Sequence, residues 1–157
     1  MRKVAIETLG CKLNQADSLK MGDKFSCAGF SLVDTASECD IYIINTCTVT
    51  HVADRKGRQS IRRAKRNNPD SIVIVTGCYA ENDRNGLEKL TEVDLVVGNT
   101  QKSEIVNLTL DELATRPITA FNSPVVHQVE GIQKANRAML KIQEGCDQIC
   151  SYCIVPK

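Results

Sequence analysis

Ile72-Val73-Ile74-Val75-Thr76-Gly77-Cys78 is a β-branched apolar run that ends in a short polar turn and a cysteine. The same arrangement appears at Ile41-Tyr42-Ile43-Ile44-Asn45-Thr46-Cys47 and, in shorter form, from Val4-Ala5-Ile6 to Leu9-Gly10-Cys11. Continuous apolar runs of this length suit strands buried on both faces of a parallel sheet. A polar or helix-forming stretch follows each cysteine, so the text predicts three successive strand–loop–helix units and an α/β fold with a doubly wound, mostly parallel sheet. The carboxyl ends of neighbouring strands in such a sheet lie along one edge, where ligands bind. Cys11, Cys47 and Cys78 are therefore expected to converge there, although tens of residues separate them. Gly10 and Gly77, without a Cβ, allow close backbone approach to a bulky cluster, and helix N-termini after the loops favour thiolates. The competing reading is three ordinary buried thiols. Cys27 and Cys39 have no such placement and read as plain core or surface thiols.

Working outward, Asn14 is a candidate cap for a helix reaching about Ala28, with Met21, Phe25 and Ala28 at helical spacing and Gly29 as its stop. A polar helix is expected from Cys78 to about Leu90, a strand over Val93-Asp94-Leu95-Val96-Val97, and a last helix capped by Thr100 and running through Leu113. Residues 1–115 form the expected α/β domain. Residues 116–137, with Pro117, Pro124 and Gly131, read as a linker, and 138–157 as the start of a second unit.

That second unit contains Gly145-Cys146-Asp147-Gln148-Ile149-Cys150-Ser151-Tyr152-Cys153, a C-x3-C-x2-C run. A closed structural zinc site takes four protein ligands, and a 4Fe–4S cluster usually takes four cysteines. Three thiolates in one loop leave a metal position open for a substrate or cofactor. The spacing also suits a zinc loop whose fourth ligand lies elsewhere.

Charge is distributed unevenly. The chain carries +1 overall, yet between His51 and Asn68 there are seven basic residues, Arg55, Lys56, Arg58, Arg62, Arg63, Lys65 and Arg66, against Asp54 alone. The segment reads as a helix capped by Thr50 and stopped by Asn67-Asn68-Pro69, with Val52, Ala53, Gly57, Ile61 and Ala64 as its inner stripe. Its outer face, with Arg55, Arg58, Arg62 and Arg66, is either a phosphate footprint or an ordinary solvated surface. His51 reads as a residue of the helix start, and His127 receives no role.

The apolar fraction of 42% suffices for a core, and no apolar run approaches the roughly 20 residues of a membrane span. The N-terminal apolar run is too short for a secretory signal. Eight cysteines in an oxidising compartment would suggest disulfides, but open triads suggest reduced metal-binding thiols, hence a cytoplasmic protein with no membrane partner.

Together the two triads and their flanking text resemble the methylthiotransferase family of radical S-adenosylmethionine (SAM) enzymes. The matching text is Thr8-Leu9-Gly10-Cys11-Lys12-Leu13-Asn14, Asn45-Thr46-Cys47-Thr48-Val49-Thr50, Thr76-Gly77-Cys78-Tyr79-Ala80, Val97-Gly98 and Lys141-Ile142-Gln143-Glu144-Gly145-Cys146. It looks most like the branch acting on N6-threonylcarbamoyladenosine beside the tRNA anticodon. The branches acting on isopentenyladenosine and on an aspartate of a ribosomal protein look less similar. The resemblance implies two 4Fe–4S clusters, one on Cys146, Cys150 and Cys153 that binds SAM with Tyr152 against the adenine, and one on Cys11, Cys47 and Cys78 that presents a sulfur species. No catalytic residue beyond the cluster ligands is implied, and the implied partner is the tRNA anticodon stem-loop. Asn14, Asn45 and Thr48 are candidate hydrogen-bond donors near the first cluster.

Relatives of this kind carry a full radical SAM barrel after the cysteine loop. Here Ala138-Met139-Leu140-Lys141-Ile142 is expected as the first barrel strand, delivering Cys146 at its carboxyl end. The expectation is a chain truncated in its barrel, with catalysis belonging to the longer parent. The alternative from another class is a non-catalytic metal-binding module that holds RNA or a protein through the basic helix.

Overall fold

The computed structural model describes residues 1–34, 39–48, 51–115, 141–143, 146, 148 and 151. Five strands, β1 (Lys3–Thr8), β2 (Ser31–Val33), β3 (Ile41–Thr46), β4 (Ile72–Gly77) and β5 (Leu95–Val97), form one sheet in the order β2-β1-β3-β4-β5. Every neighbouring pair is parallel. Five helices accompany them: α1 (Lys12–Cys27), α2 (His51–Asn67), α3 (Cys78–Asn82), α4 (Arg84–Glu88) and α5 (Ile105–Ala114), the last preceded by a 3₁₀ turn over Asn99–Glu104. The expected α/β fold with a parallel sheet is present.

The period of the strands explains why helices cover both faces. In β3 and β4, Ile41, Ile43, Ile72 and Ile74 point to one face, where Met21 and Phe25 of α1 and Ile105 of α5 meet them. Tyr42, Ile44, Val73 and Val75 point to the other, against Ile61 and Ala64 of α2, Tyr79 of α3 and Leu87 of α4. All of β3 and β4 is buried, as continuous apolar runs require. Phe25 closes its end of α1 by an edge-to-face contact with Phe30, ring centroids 5.3 Å apart. The last turn of α2 is tied to the opposite end of the sheet. Lys65 pairs with Asp94 at 2.8 Å, and Asp94 also accepts the Val73 amide at 2.7 Å.

Several local expectations are corrected. The helix after the first cysteine begins at Lys12 with Cys11 in the cap position, not at Asn14. Val52 is 51% exposed and leaves the inner stripe; Ser60, which is buried, lies on that face. The single helix expected after Cys78 is broken at Asp83, whose non-helical backbone (φ −138°, ψ 52°) ends α3 and whose carboxylate accepts the Gly86 amide at 3.1 Å to cap α4. Thr100 lies inside the 3₁₀ turn and caps nothing. The last strand starts at Leu95, not Val93. The edge strand β2 was not expected at all. Lys141, Ile142 and Gln143 lie in no strand, and Ile142 is 88% exposed; the rest of the expected barrel strand, like all of the expected linker, falls outside the described residues. No helix among the described residues is long and apolar enough to cross a membrane.

Asp17, buried in α1, pairs with Lys102 at 2.8 Å and with Lys141 at 3.0 Å. Burial pushes its carboxyl up, but hydrogen bonds and charge from the two ammonium groups outweigh that and hold it below the ordinary carboxylate range. A depressed carboxyl contributes stability in full above pH ~4 and loses it as the pH falls further. Asp17→Asn should therefore be less stable at neutral pH yet lose less stability than the parent between pH 5 and 2, as read by urea unfolding. Gly77 adopts φ +95°, and a Cβ there would stand 2.2 Å from the Thr46 carbonyl oxygen; Gly29 has φ +85° with open space around it. Gly77→Ala should cost about 3 kcal/mol or more and Gly29→Ala about 1 kcal/mol, a contrast that denaturant unfolding will resolve.

Candidate metal centre

The strand order reverses between β1 and β3, since β2 lies on one side of β1 and β3, β4 and β5 on the other. A crevice outside the carboxyl ends forms at such a point, and the chain places its cysteines there. Cys11 follows β1 and occupies the cap position of α1, Cys47 directly follows β3, and Cys78 directly follows β4 as the first residue of α3. Because Thr8 pairs with Asn45 and Thr46 with Gly77, the three loops leave the sheet in register. Cys11 is exposed, Cys78 half-buried and Cys47 buried, and all three are free thiols. The triad thus has one wall in the core and one rim in solvent.

The glycines bring the loops close to one another. A Cβ on Gly10 would come within 2.8 Å of the Cys47 Cβ, and one on Gly77 would meet the Thr46 backbone. Each glycine therefore lets its loop press against the end of the neighbouring strand. Asn14 completes the seam. Its side-chain amide nitrogen donates to the Thr46 carbonyl at 2.9 Å and to the Leu9 carbonyl at 3.2 Å, while its own carbonyl accepts from Asn45 Nδ2 at 2.8 Å. Asn45 Nδ2 also donates to Ser18 Oγ at 3.0 Å. Asn14 also meets a sulfur, since its Oδ1 accepts from Cys11 Sγ at 3.9 Å, while the amide nitrogens of Asn14 and Asn45 bind β3 to the start of α1. Thr48 is buried beside Cys47.

Electrostatics bear on what the triad can hold. Burial pushes the Cys78 thiol up, and the nearby Cys47 and Cys11 act in the same direction, while Lys102 pulls it down. Thiols close enough to raise one another disfavour joint ionisation until a cation joins them. Asn45 Oδ1 and Thr76 Oγ1, on residues two positions before Cys47 and Cys78, are buried without a hydrogen-bond partner. Orphaned buried polar atoms are uncommon, and a hydroxyl donor beside a sulfur ligand tunes a cluster. Three soft thiolates, with no competing carboxylate or imidazole among them, suit an iron–sulfur cluster. Among the described residues, no three His, Cys, Asp or Glu side chains are closed to ligating geometry, so the triad is a set of neighbouring donors rather than a formed cage.

The basic helix divides. Arg58 lies over the Tyr79 ring, 5.7 Å from its centroid, and donates to the Tyr79 hydroxyl, which fixes it next to Cys78; this pairing has no signal in the sequence. Arg62 lies 3.8 Å from Glu92, and Arg63 pairs with Glu7 at 2.9 Å. Glu7 also accepts from the Tyr42 hydroxyl and from Ser60 Oγ at 3.1 Å. Among the described residues, Arg55, Lys56 and Arg66 are exposed without an ion-pair partner.

Of the second triad only Cys146 is described, half-buried, its sulfur 3.9 Å from the Gln148 carbonyl. Cys150, Tyr152 and Cys153 lie outside the described residues, as do His127 and the side chain of His51. Cys27 is exposed and Cys39 buried in the core, both away from the triad's seam.

Comparison with known proteins bears on the same residues. The model of the family described as "Uncharacterized protein family UPF0004" matches residues 3–98. The chain is similar to a threonylcarbamoyladenosine tRNA methylthiotransferase MtaB of Aquifex aeolicus, 44% identical over 98% of this chain and 39% of the relative. It is similar to the MtaB of Bacillus subtilis, 38% identical over 99% of this chain and 36% of the relative. It also matches a tRNA-2-methylthio-N(6)-dimethylallyladenosine synthase of Sorangium cellulosum, 31% identical over 99% of this chain and 35% of the relative. The chain thus spans less than two-fifths of the length of these curated relatives. With residues 3–98 matched and the cysteine loops aligned along the edge of an all-parallel sheet, the chain belongs to the UPF0004 family, the N-terminal domain of methylthiotransferases.

Proposed function

We propose that this chain is the N-terminal part of a cytoplasmic tRNA methylthiotransferase that adds a methylthio group to C2 of N6-threonylcarbamoyladenosine beside the anticodon. The observation that carries the reading is the convergence of Cys11, Cys47 and Cys78 at the carboxyl ends of β1, β3 and β4, in a chain that also holds the C-x3-C-x2-C run. The threonylcarbamoyl branch is favoured over the dimethylallyl branch by the higher identities, 44% and 38% against 31%.

In this reading Cys11, Cys47 and Cys78 hold one 4Fe–4S cluster, and Cys146, Cys150 and Cys153 hold the other. When bound, the two clusters and SAM supply the one-electron chemistry that activates an aromatic C–H bond and the sulfur that replaces its hydrogen, which no side chain can do alone. The chain's own groups bind and position. Asn14 and Asn45 keep the Cys11 and Cys47 loops in register through the carbonyls they join, Thr46 ties on the Cys78 loop through the Thr76 carbonyl, and the exposed rim at Cys11 leaves the site open to a macromolecular substrate. Tyr152 would be the residue to hold the adenine of SAM. Arg55 and Arg66, unpaired and exposed, meet phosphates of the anticodon stem-loop, joined by Arg58 above Tyr79. Arg62 contributes less, because Glu92 already draws on its charge.

Anaerobic reconstitution with iron and sulfide should load near eight irons per chain, and near four in the Cys11, Cys47, Cys78→Ala variant, at about four per cluster. Stoichiometric zinc with little iron, or equal iron in both chains, would refute the first cluster and leave the binding module. For RNA, Arg55→Ala should weaken anticodon stem-loop binding and lower the slope of log K against log salt by about 1, whereas Arg62→Ala should move that slope less; equal slopes for all variants would remove the helix from the interface.

A further inference from the structure

Asp17 has more cationic partners than its charge requires. It is a single carboxylate, 7% exposed, with Lys102 from the 3₁₀ turn at 2.8 Å and Lys141 at 3.0 Å. Lys102 alone would neutralise it. The second ammonium arrives from 124 residues further along the chain, after the whole stretch read as a linker, and is itself only 14% exposed. Burying a lysine away from a partner is costly, and breaking such a pair on one side is more costly than never forming it. The neighbouring Ile142 is 88% exposed, so the Lys141 ammonium is drawn into the α/β domain beside a residue that faces solvent.

We propose that Asp17 is a latch that docks the segment leading to Cys146 onto the α/β domain, with Lys141 as its catch. The position of the latch gives it a consequence. Asn14 and Asp17 share one face of α1 three residues apart, so the latch lies about one turn from the amide that joins the Leu9 and Thr46 carbonyls. Asp17 stands six residues from Cys11, about 9 Å along the helix. Lys141 stands five residues before Cys146, at most about 18 Å of extended chain. Lys102, the other partner, is close enough to Cys78 to act on its thiol. Asp17 therefore sets how near the segment bearing Cys146 lies to the Cys11, Cys47 and Cys78 edge. The docking stands on the contact itself, whereas its importance for catalysis rests on the reading of two cysteine triads given above. Both lysines are positioning residues in this account and touch no substrate.

Lysine acylation of the full chain, quantified by mass spectrometry, tests the latch without any cluster. Lys102 and Lys141 should react at least ten-fold more slowly than the exposed Lys20. Lys141 should react several-fold faster in Asp17→Asn and stay protected in Lys102→Met. Hydrogen exchange at the peptide spanning Lys141 should quicken several-fold in Lys141→Met and recover in Lys141→Arg, with the sheet unchanged. Lys141 acylated as fast as Lys20 in the parent chain, or exchange that is equal in the parent and Lys141→Met, overturns the proposal even if Asp17→Asn does not fold. Failure to load iron leaves these readouts untouched, so a wrong reading of the cysteines and a wrong latch are separable.

Discussion

One side-chain amide joins the two strand ends on either side of the point where the sheet changes direction. Asn14 Nδ2 donates to the carbonyls of Leu9 and Thr46, two buried-side acceptors at the carboxyl ends of β1 and β3. A buried carbonyl left unpaired costs about 1–3 kcal/mol, so this amide offsets a penalty that any divergence of the loops would incur. The geometry around it is tight. Gly10 presses on Cys47 and Gly77 on Thr46 at distances that leave no room for a Cβ. The cysteine positions are a consequence, since each thiol is carried by the residue next to this seam.

The same economy shapes the charge distribution. Basic residues of α2 point in several directions, and the sheet and its loops consume much of their charge. Arg63 serves Glu7 on β1, Lys65 serves Asp94 at the start of β5, and Arg58 is spread on Tyr79. A helix of 17 residues is about 25 Å long, so its cations at one end work on the cysteine edge and those at the other on the floor of the sheet. What is left for a nucleic acid is narrower than the seven basic residues suggest.

Legibility in the sequence followed the strength of the local signal. β3 and β4 were readable because strands buried on both faces are apolar throughout, with no competing helical period. β2 was not, because Ser31–Val33 is three residues at a sheet edge, half-buried, with no alternation long enough to register. The break at Asp83 is a choice between continuing a helix and capping the next one, and it is made by the side chain's bond to the Gly86 amide. Val52 reads as apolar stripe by spacing, yet it stands 51% exposed in the first turn of α2.

The sequence by itself determined the class of fold, the three cysteines that end strands, and the strand–loop–helix rhythm that carries them, because burial of a parallel sheet and the period of a strand are properties of consecutive residues. It also carried the motif text by which the chain joins its family. Only the tertiary structure decided which loops touch, that the amide nitrogens of Asn14 and Asn45 tie β3 to the start of α1, that Arg58 belongs to Tyr79, and that Asp17 gathers Lys102 and Lys141. Those contacts join residues from 21 to 124 positions apart. They exist only once the strand order has brought distant segments together, and no local pattern encodes them.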